Sequence, residues 1–143
     1  MFAASIFTPR RAAPNRAAAY QAHALEIQVA GADAHRLVDL LFEGFGQAAV
    51  EAQSALASGD TELKCRALTR AIRIVDEGLR AHLNLAAGGR LAADLLDLYG
   101  YVVQRLTLAN SRNDPELIAE CQRLMQPLHE AWLSIGNTPQ AQR

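Results

Sequence analysis

Two cysteines in 143 residues, Cys65 and Cys121, stand far apart, with no CxxC pair and no surrounding cluster of ligand-type side chains. That excludes a disulfide scaffold, favours a reducing compartment, and leaves both cysteines as small packing residues. No apolar run approaches the roughly 20 residues that cross a bilayer. At the N-terminus the apolar residues precede Arg10-Arg11, the reverse of a secretory signal, so the chain is expected to stay in the cytoplasm without membrane insertion. The first 25 residues hold three arginines and no acid, as a mitochondrial leader does, but Pro9 and Pro14 interrupt the amphipathic helix such a leader needs. Beyond them, 11 basic residues face 15 acidic ones, a balance of −4, which excludes the strong basic face of a nucleic-acid binder.

Sites of chemistry are equally scarce. A carboxylate-bridged metal bundle needs Glu-x-x-His pairs facing its core, and the sequence has none. His129-Glu130 is not followed by a second histidine at the zinc-protease spacing, and His23, His35, His82 and His129 fall on separate segments, as surface or helix-end residues do. Gly88-Gly89 lacks the preceding strand of a dinucleotide fingerprint and reads as a turn, and no phosphate-cradling loop with its lysine is present. The sequence therefore predicts no catalytic residue, no metal site and no cofactor, and the chain is read as a non-enzyme.

What the sequence does contain is helical periodicity, with no strand alternation competing anywhere. The first helix is expected to open at Asp33 as N-cap and to end at Gly59. It carries one stripe of Leu37, Leu41, Gly44 and Ala48 and a second of Val38, Phe42, Phe45, Ala49 and Leu56. Together they make an apolar arc of about 160°, against a polar face that includes Arg36, Asp39, Glu43 and Gln47. The second runs from Asp60 or Thr61 to Leu83, with an arc of about 200°, and Ala86–Gly89 then reverse the chain. The third turns Leu91, Leu95, Leu98, Tyr99, Val102, Val103 and Leu106 inward and leaves Tyr101 and Leu108 on its polar face. The fourth opens at Asp114 with Pro115 in the first turn and buries Leu117, Cys121, Leu124, Met125, Leu128, Trp132 and Ile135, with a kink at Pro127. Short links put neighbours antiparallel, so the predicted fold is all-α: an up-down four-helix bundle over residues 33–136. A flexible N-terminal arm occupies 1–32 and a disordered tail 137–143. The arm holds one isolated tyrosine, Tyr20, with too little apolar surface around it to fold alone.

The apolar arcs exceed the roughly 100° that a small bundle needs. Either flanking alanines widen them without making a patch, or part of the surplus, on the second stripe of the first helix or at Tyr101 and Leu108, forms a groove for a partner helix. The order of motifs bears on the choice. AYQ in the arm, V-x-x-A-D-x-H-R-L at the first helix, LLFEGFGQA within it and SGD at the next turn are followed by AAGGRLA, RLTLANSRNDPELIAE and HEAW. This series, from Ala19 to Trp132, resembles the FliS family of flagellar export chaperones. Proline is usual in that family where this chain has Ala34, and Pro127 is a further departure.

The resemblance implies an antiparallel helical bundle, not an enzyme. It would bind the C-terminal helical segment of flagellin in the cytoplasm, prevent premature polymerisation and deliver it to the flagellar type III export gate. It also implies that the arm tyrosine, here Tyr20 with Gln21 beside it, lies against the bundle near the client. The expected partner-binding residues are Tyr20, Gln21, Leu25, Val38, Phe42, Phe45, Tyr101 and Leu108; Leu41, Leu95, Val102 and Trp132 are assigned to the core. A helical dimerisation or adaptor module, homodimeric, and a metal-binding helical bundle remain as readings unrelated to flagella.

Overall fold

Side chains are described for residues 33–136, and the backbone for residues 16–136, in a computed structural model of the chain. Within those limits every element is helical. α1 spans Arg16–Ser58, α2 Thr61–Arg73, α3 Leu85–Arg112 and α4 Pro115–Gly136. The expected first helix is thus longer than the sequence suggested. Asp33 is no N-cap but lies inside α1, because the alanine-rich stretch after Arg16 has strong helix propensity and no proline to stop it.

The turn after α1 follows its sequence signal closely. Gly59 takes a left-handed φ of 76°, its amide donates to the Leu56 carbonyl at 3.2 Å, and the Asp60 amide donates to Ala55 at 2.9 Å. This pair of hydrogen bonds satisfies orphan carbonyls of the last turn, and it needs a residue without the Cβ penalty of positive φ. Asp60 then caps α2, its carboxylate accepting from the Leu63 amide at 3.1 Å.

The end of the second helix departs from expectation. After Arg73 the chain widens into a π-turn over Ile74–Leu79 and tightens into a 3₁₀ turn over Arg80–His82. His82 Nδ1 lies 2.9 Å from the Gly78 carbonyl, so its ring N–H takes up an acceptor at the transition. Gly78 faces Leu41 of α1 so closely that a Cβ there would sit 2.8 Å from Leu41 Cδ2, and across the same contact Gly44 faces Ile74. Small residues on both helices let their backbones approach.

Reversal also comes earlier than the sequence suggested. Asn84, not the Ala86–Gly89 stretch, interrupts the helices, and its side chain accepts from the Ala87 amide at 3.0 Å as the N-cap of α3. The break expected at Gly88-Gly89 survives as a kink at Gly89, which has φ 56° and ψ −130°. α3 ends at Asn113, left-handed at φ 52°, and there Lys64 reaches across from α2. Its ammonium donates to the Asn110 carbonyl at 2.9 Å and to Asn113 Oδ1 at 2.6 Å. A lysine only 4% exposed is tolerable because the negative end of the α3 dipole surrounds it. Asp114 caps α4 by accepting from the Glu116 amide, and α4 continues through Pro127 as one helix.

α1 packs on α2 and α4, and α3 packs on the same two helices. Phe42, Phe45, Leu68, Val75, Val102, Leu106, Ile118 and Met125 fill the space between them, with Ala48, Ala49, Ala52 and Ala71 fully covered where helices approach. Leu91 and Ile135, expected inward, are 69% and 50% exposed; both lie near helix ends, where fewer neighbouring turns cover them.

Candidate functional site

α3 and α4 are joined only by Asn113 and Asp114, and they meet where Cys121 Sγ lies 3.7 Å from the Val102 carbonyl. From that crossing the first half of α3 and the second half of α4 share one end of the molecule. Leu95 and Leu98 lie one turn apart on α3, and Leu124 and Leu128 one turn apart on α4. Each of these four leucines is half-buried, and Leu91, one turn beyond, is largely exposed. Leu95, Leu124 and Leu128 rest on the core with their outer surface uncovered. The result is a seam of leucine side chains at helical spacing, apolar along its floor and open to solvent.

A polar cluster closes one end of the seam. The Tyr101 hydroxyl donates to Glu120 Oε2, Arg105 Nε donates to Glu120 Oε1 at 2.8 Å, and the guanidinium carbon stands 5.5 Å from the centre of the Tyr101 ring. The Tyr101 hydrogen bond, followed by that of Arg105, holds the Glu120 carboxyl below the usual carboxylate range, and the same hydrogen bond raises the Tyr101 phenol. A tyrosine ring 39% exposed is thereby fixed in orientation at its hydroxyl and on one face.

The structure separates the residues expected to bind a partner. Val38, Phe42 and Phe45 are 7%, 6% and 3% exposed and belong to the core, not to an open groove. α1 has a neighbour on each side, so a wide apolar arc is consumed by two packing interfaces. Tyr101 is at the surface as expected, and Leu108 is half-buried against the core two turns away on the same face. Tyr20, Gln21 and Leu25 fall outside the residues whose side chains are described. The seam leucines were missed because a helical wheel gives the direction of a side chain and not the point at which neighbouring helices part. The available signal was the pair of leucine stripes, 91-95-98 and 124-128, on consecutive helices.

Polar chemistry also joins α1 to α4. Asp39, expected on a solvated face, is only 6% exposed and accepts from His129 Nε2 at 2.7 Å and from Arg36 Nη1 at 2.5 Å. The His129 hydrogen bond, opposed by burial and assisted by Arg36, holds the Asp39 carboxyl below its ordinary value. The His129 ring stacks on Phe42 at 5.1 Å. One turn away, His35 stacks on Trp132 at 4.7 Å, donates from Nε2 to the Trp132 carbonyl at 2.7 Å, and accepts at its own carbonyl from Trp132 Nε1 at 2.9 Å. These two histidines are joints between helices, not the surface residues the sequence suggested.

A second concavity, about 350 Å³, opens at the opposite end between Gln53, Leu56, Asp60, Lys64, Asn113 and Pro115. Its charged groups are already engaged in capping α2 and α3. Burial pushes the Cys121 thiol up to about 12, which removes it as a nucleophile. Among the described residues no group of three or more His, Cys, Asp or Glu is placed to hold a metal ion, and no helix is long and apolar enough to cross a membrane.

Comparison with known proteins bears on the use of such a surface. Residues 16–139 match the family described as flagellar protein FliS. The chain is 41% identical over 118 residues to the flagellar secretion chaperone FliS of Salmonella typhimurium, covering 82% of this chain and 87% of the relative. It is 35% identical over 114 residues to the Escherichia coli chaperone of the same name, covering 80% and 84%. Flagellar secretion chaperone FliSB of Pseudomonas aeruginosa is likewise 35% identical, over 118 residues, covering 82% and 93%. The chain belongs to the FliS family of flagellar secretion chaperones, which are not enzymes.

Proposed function

We propose that the protein binds the C-terminal helical segment of flagellin in the bacterial cytoplasm, keeps it from polymerising prematurely and delivers it to the flagellar export apparatus. The observation that carries this reading is the leucine seam between α3 and α4, an apolar floor at helical spacing that the fold covers only in part. An amphipathic helix laid along it would place anchors at i, i+3 or i+4, and i+7 over Leu91, Leu95, Leu98, Leu124 and Leu128. The client would order as it docks, and that entropic cost keeps a complex of this kind releasable.

The contacts between α1 and α2, α1 and α4, and α2 and α3 support reading the architecture as an up-and-down antiparallel bundle. In this arrangement Tyr101 and Leu108 flank the closed end of the seam, and Val38, Phe42 and Phe45 support it from within. A bare apolar strip of several hundred Å² invites aggregation. The N-terminal turns of α1, with Tyr20, Gln21 and Leu25, would bend back over the strip while the client is absent and yield or join when it arrives.

Co-expression with candidate flagellins followed by size-exclusion chromatography tests the proposal. A stable complex that is lost when the C-terminal segment of the flagellin is removed is the expected result. A chaperone that elutes alone, or only with itself, would contradict it.

A further inference from the structure

The seam is electrostatically polar along its length, and this bears on how an occupant would lie in it. Asp94, Asp97, Tyr101 and Arg105 recur at i, i+3, i+7 and i+11 and so form one stripe along the rim of α3. On α4, Glu120, Arg123, Pro127 and Glu130 recur at the same kind of spacing and form the facing rim. The crossing of the two helices sorts these charges. Asp94, Asp97 and Glu130 fall at the open end, where Arg90, 3.9 Å from Asp94, is the neighbouring cation. Arg105 and Arg123 fall at the closed end, where Arg105 pairs with Glu120. Arg123 forms no ion pair among the described residues. One end therefore carries three carboxylates against one guanidinium, whereas at the other the Arg105–Glu120 pair is neutral overall and Arg123 stands beside it as a cation.

We infer that the helix docked in the seam has a fixed polarity: its N-terminal end lies by Asp94, Asp97 and Glu130, and its C-terminal end, with any acidic side chain there, lies by Arg105 and Arg123. This inference rests on the docking proposed above and adds the direction. A helix carries roughly half a positive charge at its N-terminus and half a negative charge at its C-terminus, concentrated in the first and last turns. Asp94 and Arg105 are 11 residues apart, about 16 Å along α3, so an occupant of about three turns brings both of its ends within reach of the two charge groups. The docked helix then runs parallel to α3 and antiparallel to α4. The Tyr101 ring, held by Glu120 and Arg105, stops it at the closed end.

Paramagnetic relaxation tests the direction on the full chain with labelled leucine methyls. The probe is a synthetic flagellin C-terminal peptide carrying a nitroxide at either end of its docking segment. The N-terminal nitroxide should broaden Leu91 and Leu95 most strongly, and the C-terminal one Leu108, with Leu98 and Leu124 between them affected alike by both. The opposite pattern would overturn the polarity and leave the docking intact. Broadening away from α3 and α4, or no binding, would overturn both. Calorimetry with the double variant Asp97→Lys, Arg123→Glu provides a second readout. It should bind about three- to tenfold more weakly at low ionic strength, with the difference shrinking at high salt. Unchanged affinity at low ionic strength would overturn the electrostatic argument.

Discussion

Asp39 shows how far a single side chain can stand from its sequence-based reading. A helical wheel places it with Arg36 and Glu43 on a solvated face, yet it is buried between His129 and Arg36 and ties α1 to α4. Truncating His129 to alanine leaves that carboxylate with Arg36 alone and should cost about 1–3 kcal/mol, measurable by denaturant unfolding. Its pH dependence has a definite sign. The folded-state pKa is depressed below 3.8, so the stability Asp39 contributes is complete above that value and is lost as pH falls through the folded value. Thermal unfolding of Asp39→Asn should therefore show a shallower loss of stability below about pH 4 than the parent. Identical acid profiles would mean that the junction contributes nothing. The sequence hid this residue because His129, the partner that buries it, lies on whichever helix packs beside α1 and is 90 positions away.

At the scale of elements, much was legible. The capping aspartates, the glycine at the first turn and the proline opening α4 fall where local backbone chemistry demands them. Gly59→Ala forces a Cβ onto a left-handed residue and should destabilise by about 1 kcal/mol. Gly78→Ala meets Leu41 at the α1–α2 contact and should cost about 1–3 kcal/mol in chemical denaturation. If Gly78→Ala proved neutral, the close approach described for this contact would be wrong, and a neutral Gly59→Ala would remove the left-handed turn. What the sequence could not show was winding and extent. The π-turn over Ile74–Leu79 packs tightly on α1, and the extension of α1 upstream of Asp33 follows alanine propensity in a stretch with too little apolar surface to fold alone. The same limit applied to the site. Leu95, Leu124 and Leu128 were correctly read as facing inward, but their partial exposure arises from the geometry of α3 against α4.

The molecule as a whole has a closed core and a partly open seam. Val38, Phe42 and Phe45 hold the helices together, while the leucines between α3 and α4 remain partly exposed. Tyr20→Ala, or removal of residues 1–22, should leave the bundle folded by circular dichroism and change the affinity for a flagellin C-terminal peptide. Unchanged affinity would remove the arm from the mechanism without touching the seam. The central claim is tested most directly by calorimetric titration of Leu91→Lys with that peptide. Leu91 is 69% exposed, so a charge there should leave the melting temperature within a few degrees of the parent while placing an ammonium on the apolar floor. Binding weakened by about tenfold or more in a normally folded protein is the expected result. A folded Leu91→Lys variant that binds the peptide as tightly as the parent would contradict it.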